Sequence, residues 1–345
     1  MPDETAAKQA PYRDPSVGDL ILRSSDGVDF YVHGQRLGDV SPVFSGMISL
    51  PRNPSLPERE VVLVSEASGI WERLLPMCYL HEVPAIALGD MRQLWEAGRK
   101  YGLVGVMGWI QALLSNSSYL HSDPFVVYSL ACVFGMAPLA RLAAKHTLRF
   151  PEVPDIPEFA FINGRVVYHL YVYRKKCGIA AQAAVTHKTK GRSYLPEWCT
   201  EMKGIRSEIS ACSATCPLIQ RSPELTSASF HVSKSGKSVG TTIYYREAWI
   251  TYFQSLGDKL KDAPRGTLAS IHTLLEPLIS SSRKCSTCAG HAYSQAIAVA
   301  AEVEQRIDDA VSKVGFYRLS SCVPHDEISR MSYNRWNSLS NCEGQ

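Results

Sequence analysis

The chain has 345 residues, 45% of them hydrophobic and 20% charged, with a formal net charge of +3. That balance excludes wholesale disorder, leaves room for two modest domains with separate cores, and supplies no strong field for nucleic acid. The opening residues lack the basic start and apolar core of a signal peptide, and no stretch reaches the ~20 apolar residues of a membrane span. A soluble cytoplasmic or nuclear protein is therefore expected, and its ten cysteines are expected as reduced thiols or metal ligands and not as disulfides.

Residues 1–17 are polar, contain Pro2, Pro11 and Pro15, and read as a flexible tail. From Asp19 the pattern changes. Leu20–Arg23 reads as a strand, Ser25-Asp26-Gly27 as a turn, and Asp29–His33 as the returning strand of a hairpin. Leu37, Val40, Phe44 and Met47 recur at spacings of three and four, which predicts a short helix across that hairpin, with Ser41 and Pro42 suited to a cap and a first helical position. A proline-rich connection over 51–57 leads to a third strand at Val61–Val64. Three helical patterns follow, carried by Ile70, Leu74, Leu75 and Cys78, by Met91, Leu94 and Trp95, and by Val106, Trp109, Ile110 and Leu113. Three strands with a helix between the second and third, then a run of helices, is an α+β order.

Taken in sequence, Gly18–Leu22, Phe30–His33, Leu37 and Ser41–Met47, then Leu74–Leu80 and Leu94–Leu103, resemble BTB/POZ domains, over residues 18–115. Asp123-Pro124, Val126, Leu130, Ala131, Phe134-Gly135 and Leu139-Ala140 look like the helical segment that follows the BTB domain in fungal proteins of this type. The fold that this resemblance implies is a short β-sheet capped by helices, followed by a mostly α-helical domain over 120–318 and a polar tail over 319–345.

Phe125–Leu142, interrupted by Ser129, Gly135, Pro138 and Arg141, reads as a buried helix pair. Pro151, Pro154 and Pro157 then break the helical run. Ile156–Lys176 reads as one or two helices with Val166, Leu170 and Tyr173 on one face; 186–194 reads as a basic loop, and the Ser-, Lys- and Gly-rich stretch 220–240 as a flexible excursion. Helices are expected over Thr241–Leu260, Leu268–Ile279 and Tyr293–Val314.

The BTB/POZ resemblance implies a protein–protein interaction module, either a substrate adaptor for a cullin-type ubiquitin ligase or a scaffold. Phe44, Met47, Ile48 and Tyr79 fall where a helical partner would dock. The sequence departs from the cullin-binding pattern at Leu50, where such members often carry an acidic residue. The short, proline-containing segment before Asp19 leaves little room for a dimerising helix, so homodimer formation stays open. His33 reads as a buried, hydrogen-bonded residue that positions the next helix.

The cysteines carry the sharpest local pattern. Cys285-Ser-Thr-Cys288 is a CxxC pair and Cys212-Ser-Ala-Thr-Cys216 a CxxxC pair, the arrangement of a four-thiolate structural zinc site, with His291, Cys177 and Cys199 as spare ligands. Unligated buried thiols and redox chemistry are the alternatives. A P-loop, an HExxH and a GxGxxG opening a helix are all missing, so no catalytic role is expected. The second functional reading is a transcription-associated factor with a zinc-stabilised C-terminal half, although the near-neutral charge argues against nucleic acid as a partner.

Overall fold

The computed structural model describes residues 12–50, 59–79, 81, 85–189, 192–196, 198–199, 202–212, 216–218, 227–234, 237–244, 246 and 248–316. Most of the N-terminal tail, the connection over 51–57 and the C-terminal tail over 319–345 lie outside the described residues. The chain divides into two compact units, one running to Ala140 and the other from Arg141. The architecture is α+β: a small mixed sheet capped by helices, then a mostly helical region.

In the first unit, β1 (Leu20–Arg23) and β2 (Asp29–Val32) form an antiparallel hairpin that sets Leu20 opposite Val32 and Leu22 opposite Phe30. Period-two alternation sends all four side chains to one face, and all four are buried. Two helices, α1 (Gly34–Val40) and α2 (Pro42–Ile48), precede β3 (Glu60–Leu63), which pairs in parallel with β1. The sheet order is β2-β1-β3.

The single helix expected over Leu37–Met47 is two helices, because a proline disfavours helical backbone in the residue before it. Ser41 is extended there (φ −138°, ψ 114°), and its Oγ accepts the Phe44 amide at 3.1 Å, capping α2. The same hydroxyl donates to the Tyr101 carbonyl at 2.5 Å. The break turns Val40 out of the core, leaving it 38% exposed instead of buried as its spacing suggested.

Helices α3 (Ser68–Cys78), α4 (Met91–Lys100) and α5 (Val104–Leu114) supply Trp71, Leu74, Leu75, Leu94 and Ile110 to the core. At its centre Phe44 stacks on Tyr101 (centroids 5.0 Å apart), and Trp71 meets both rings at 6.1 and 5.3 Å. Gly102 lets this cluster close: its φ is +67°, and a Cβ there would lie 2.9 Å from the Pro42 ring. His33 is exposed, contrary to the expected burial. It is its backbone N–H, donated to the Tyr79 hydroxyl at 2.8 Å, that fixes the start of α1. Part of the segment read as a tail is also anchored: the Tyr12 carbonyl accepts the Tyr31 amide, and Arg13 pairs with Glu72 at 2.8 Å. Short α6 (Ser117–Ser122) and α7 (Pro124–Val133) follow, and α8 (Ala137–Thr147) runs across the boundary into the second unit, so that two helices cover Phe125–Leu142 as expected.

The second unit is built on two long helices, α9 (Gly164–Val185) and α14 (Ala292–Ser312). Between them lie the short hairpin β4 (His187–Thr189) and β5 (Arg192–Tyr194), α10 (Lys203–Ile209), the hairpin β6 (Ser227–Lys234) and β7 (Lys237–Tyr244), α11 (Ala248–Leu260), α12 (His272–Ser281) and α13 (Ser286–Ala289). Ala292, Ala296, Val299, Ala300, Val303, Ile307 and Val311 of α14 are all buried, a stripe at helical spacing. Helix α9 approaches the end of α11 so closely that a Cβ on Gly178 would lie 2.4 Å from the Lys261 carbonyl oxygen. Arg174, buried on α9, donates to the carbonyls of Thr147, Phe150 and Pro151, satisfying the exposed C-terminal end of α8.

Three expectations fail in this unit. The segment 186–194, read as a basic loop, holds the antiparallel β4/β5 pair, with His187 opposite Tyr194. The segment read as a flexible excursion over 220–240 contains the antiparallel β6/β7 pair, with Ser227 opposite Tyr244. The helix expected from Thr241 starts at Ala248, because Thr241-Thr242-Ile243-Tyr244 is β-branched and aromatic and continues β7.

Asp26 offers a test of the hairpin turn. It accepts from the Ser24 hydroxyl at 2.5 Å and from the Ser68 amide and hydroxyl at 2.9 and 2.6 Å, joining the turn to the start of α3. The Ser24 bond, then the Ser68 hydroxyl, lower its pKa from 3.8 to about 2. A depressed carboxylate stabilises the fold above its unfolded pKa, and that contribution is lost as pH falls through the folded value. Asp26→Asn should therefore lower the melting temperature at pH 6, with the gap to the parent protein closing between about pH 4 and pH 2. A gap that stays constant with pH would refute this role.

Candidate metal centre

The site begins with two short helical ends. Helix α10 finishes at Ile209, and the chain runs through Ser210 and Ala211 to Cys212, with Cys216 four residues further on. On the other side, a 3-10 turn over Ser282–Lys284 delivers Cys285 in extended conformation at the cap of α13, and one helical turn places Cys288 beside it. A side chain at the N-cap turns toward the first helical turn, which brings the Cys285 sulfur to the side of the chain where Cys288 stands.

The structure brings Cys212, Cys216, Cys285 and Cys288 together, with all four Sγ atoms within 4.8 Å of one another. Cys212 and Cys285 are 3.6 Å apart, and Cys216 and Cys288 3.8 Å. Neither distance is that of a disulfide, which is about 2.05 Å. Four thiolates bound at about 2.3 Å around a tetrahedral ion have sulfur–sulfur edges of about 3.8 Å. The measured separations match that edge.

Backbone amides also converge on the sulfurs. The Cys288 amide favours the thiolate of Cys285, the Leu218 amide that of Cys216 and the Cys212 amide that of Cys288. Amide N–H groups turned toward a sulfur stabilise its anionic form. The Cys288 amide is the main reason that the Cys285 thiol falls to about 7, with burial opposing it. Burial instead pushes Cys216 up, and Cys288 up to about 12. Cys212 is exposed and Cys285 half-buried, whereas Cys216 and Cys288 are buried, so the group has an outer and an inner pair.

Between the segments that lead into the two cysteine pairs sits Arg246, 2% exposed, which the sequence reading did not single out. A lone arginine between a strand and a helix carries no signal. Its guanidinium donates to Ser282 Oγ at 2.8 Å, to the Glu208 carbonyl at 3.2 Å and to Gln295 Oε1 at 2.9 Å, and lies 5.5 Å from the Trp249 ring centroid. It thereby joins all the segments that carry the cysteines.

The other candidate residues lie elsewhere. Cys177 and Cys199 are buried outside the group, their thiols raised by burial, Cys177 to about 11. His291 caps α14, is exposed, and is not part of the group. Phe44 is 1% exposed within the aromatic core and presents no surface to a partner. Met47, Ile48 and Tyr79 are half-buried, and Ile48 packs against Gly34 of α1. A Gly-Lys-Ser-Val-Gly run at 236–240 matches the GxSxG pattern, but Ser238 lies in β7, paired with Ser233 of β6. A nucleophile elbow needs a sharp turn from strand to helix, and Ser238 does not sit on one. No family model matches the chain, and no curated protein matches it significantly. No helix among the described residues is long and apolar enough to cross a membrane.

In metal-free protein a thiol-specific alkylating reagent should modify Cys285 and Cys212 before Cys216 and Cys288. The Cys285 rate should rise with pH through about 7, since the thiolate is the reactive form. Mass mapping of the modified peptides reads the order, and early labelling of Cys216 or Cys288 would contradict the outer and inner assignment.

Proposed function

We propose that this chain is a non-catalytic binding protein whose C-terminal unit is a helical domain stapled by a structural zinc ion. The single observation that carries this reading is the convergence of the Cys212, Cys216, Cys285 and Cys288 sulfurs within 4.8 Å of one another, two of the pairs lying at 3.6 and 3.8 Å. Four soft sulfur donors select zinc or iron over harder cations. With every position taken by protein, such an ion holds no open site for water or substrate, and its contribution is to folding. Of the two functional readings of the sequence, the group of four cysteines supports better the one with a zinc-stabilised C-terminal half.

For the N-terminal unit the proposal is a BTB/POZ-like interaction module. Its support is the ordered resemblance over residues 18–115, together with a small sheet capped by helices. An apolar cleft of about 470 Å³, lined by Val40, Met77, Leu103, Val104 and Trp109 with His81 beside them, offers a place for a partner's apolar side chains. Because Phe44 is buried, a cullin-type scaffold would have to be met by Met47, Ile48 and Tyr79 without it.

Elemental analysis of purified protein should find about one zinc per chain. Cys216→Ser should lose the metal and lower the melting temperature of the C-terminal unit. Iron in place of zinc would change the ion and keep the staple, while metal-free protein with four freely titrating thiols would overturn it. The transcription-associated reading has its own measurement. Its affinity for duplex DNA should fall steeply between roughly 50 and 200 mM salt. Absence of binding at low salt leaves the protein-adaptor reading.

A further inference from the structure

We infer that Arg246 is the built-in counter-charge of the metal centre: buried and bonded to the segments that lead into both cysteine pairs, it balances the negative charge that four thiolates carry around a divalent ion. This rests on the metal reading above and adds to it the residue that couples the ion to the helices.

An arginine is charged at every accessible pH, and burying its charge is costly unless something offsets it. Arg246 is 2% exposed, yet its hydrogen-bond acceptors are a serine hydroxyl, a backbone carbonyl and a glutamine amide, all uncharged. Among the described residues it forms no ion pair, and its buried Nε has no hydrogen-bond partner. The ionisable groups that act on its charge are, in order, Cys288, Cys216, Glu208 and Cys212. Three of those four belong to the sulfur group; the fourth, Glu208, accepts from Arg246 through its backbone oxygen and acts on it through a half-buried carboxylate.

With the thiols protonated, those three sulfurs are neutral, and only the half-buried Glu208 carboxylate and the Trp249 ring offset the guanidinium charge. When a divalent cation replaces the four protons, the centre keeps two net negative charges, and the guanidinium held on the segments leading into the ligands offsets them in a low-dielectric interior. The fork of donors to Ser282, Glu208 and Gln295 then fixes the position of that charge. Ser282 lies just before Cys285, Glu208 just before Cys212, and Gln295 in the first turns of α14. The same residue that balances the ion thus also aligns the segments that supply the ligands.

The two states should respond to Arg246 with opposite signs, which a purely structural arginine would not do. In metal-free protein, Arg246→Met removes a buried charge that forms no ion pair among the described residues, so the melting temperature should stay the same or rise. In the same variant, zinc affinity measured by competition with a chromogenic chelator should fall about 10–100-fold, the range for outer-shell partners of metal ligands. A second pair of variants keeps the test decisive if the methionine variant folds poorly. Arg246→Lys keeps the charge without the fork and should bind zinc close to the parent value, whereas Arg246→Gln keeps hydrogen bonding without the charge and should bind weakly. The reverse order, or parent-like zinc affinity in both uncharged variants, would overturn the counter-charge role while leaving the zinc staple standing. If the parent protein binds neither zinc nor iron, the metal reading itself falls and this one with it.

Discussion

Four sulfur atoms from two distant segments can lie within 4.8 Å of one another only if the helices that carry them pack in one register. Cys212 and Cys285 are 73 positions apart, and Cys216 and Cys288 are 72 apart. The register comes from α14, whose buried stripe of small and branched residues meets α9 and α10. Close approach there depends on small side chains: Ala296 and Ala300 on α14 are fully buried, and Gly178 lets α9 touch the Lys261 carbonyl. Packing places the sulfurs, and an ion among them would in turn hold the packing, so the two are thermodynamically linked.

The N-terminal unit solves its own problem differently. Its sheet is too small to hold a core alone, and the helices complete it through the Phe44, Trp71 and Tyr101 rings. Ser41 joins the helix break to that cluster by capping α2 and bonding the Tyr101 carbonyl together. Around its edge, Glu66 accepts from the Tyr101 hydroxyl at 2.6 Å and from Lys100 at 3.0 Å. Burial alone would raise the Glu66 carboxyl, but these two donors outweigh it and hold the pKa below the ordinary value.

Much of this was readable from side-chain periodicity. The β1–β2 hairpin, the Ser41 cap, helices α7 and α8 and the two cysteine pairs each carry a local signal in the residues themselves. What escaped was set by tertiary context. Val40 has a helical spacing from Leu37 and Phe44, but the break at Pro42 rotates it outward. His33 sits at the end of a buried strand on the face that points to solvent. The β6–β7 hairpin is masked by its serines, lysines and glycines, which read as a loop. Arg246 had no signal at all, because what distinguishes it is the absence of a charged acceptor in three dimensions. For the metal centre, sequence supplied the ligand types and their pairing, and only the fold could show that seventy intervening residues bring them to one point.

That long separation has a consequence for how the protein can change. The entropy of closing a loop grows only with the logarithm of its length, so doubling the enclosed chain costs about 0.6 kcal/mol. The β6–β7 hairpin lies wholly within the loop that the cysteine pairs close. Lengthening or shortening it would therefore tax the staple very little, provided that α10 and α11 keep their places. The closed loop is a site where new surface can be added without refounding the domain, a region of evolutionary freedom held between two fixed clasps.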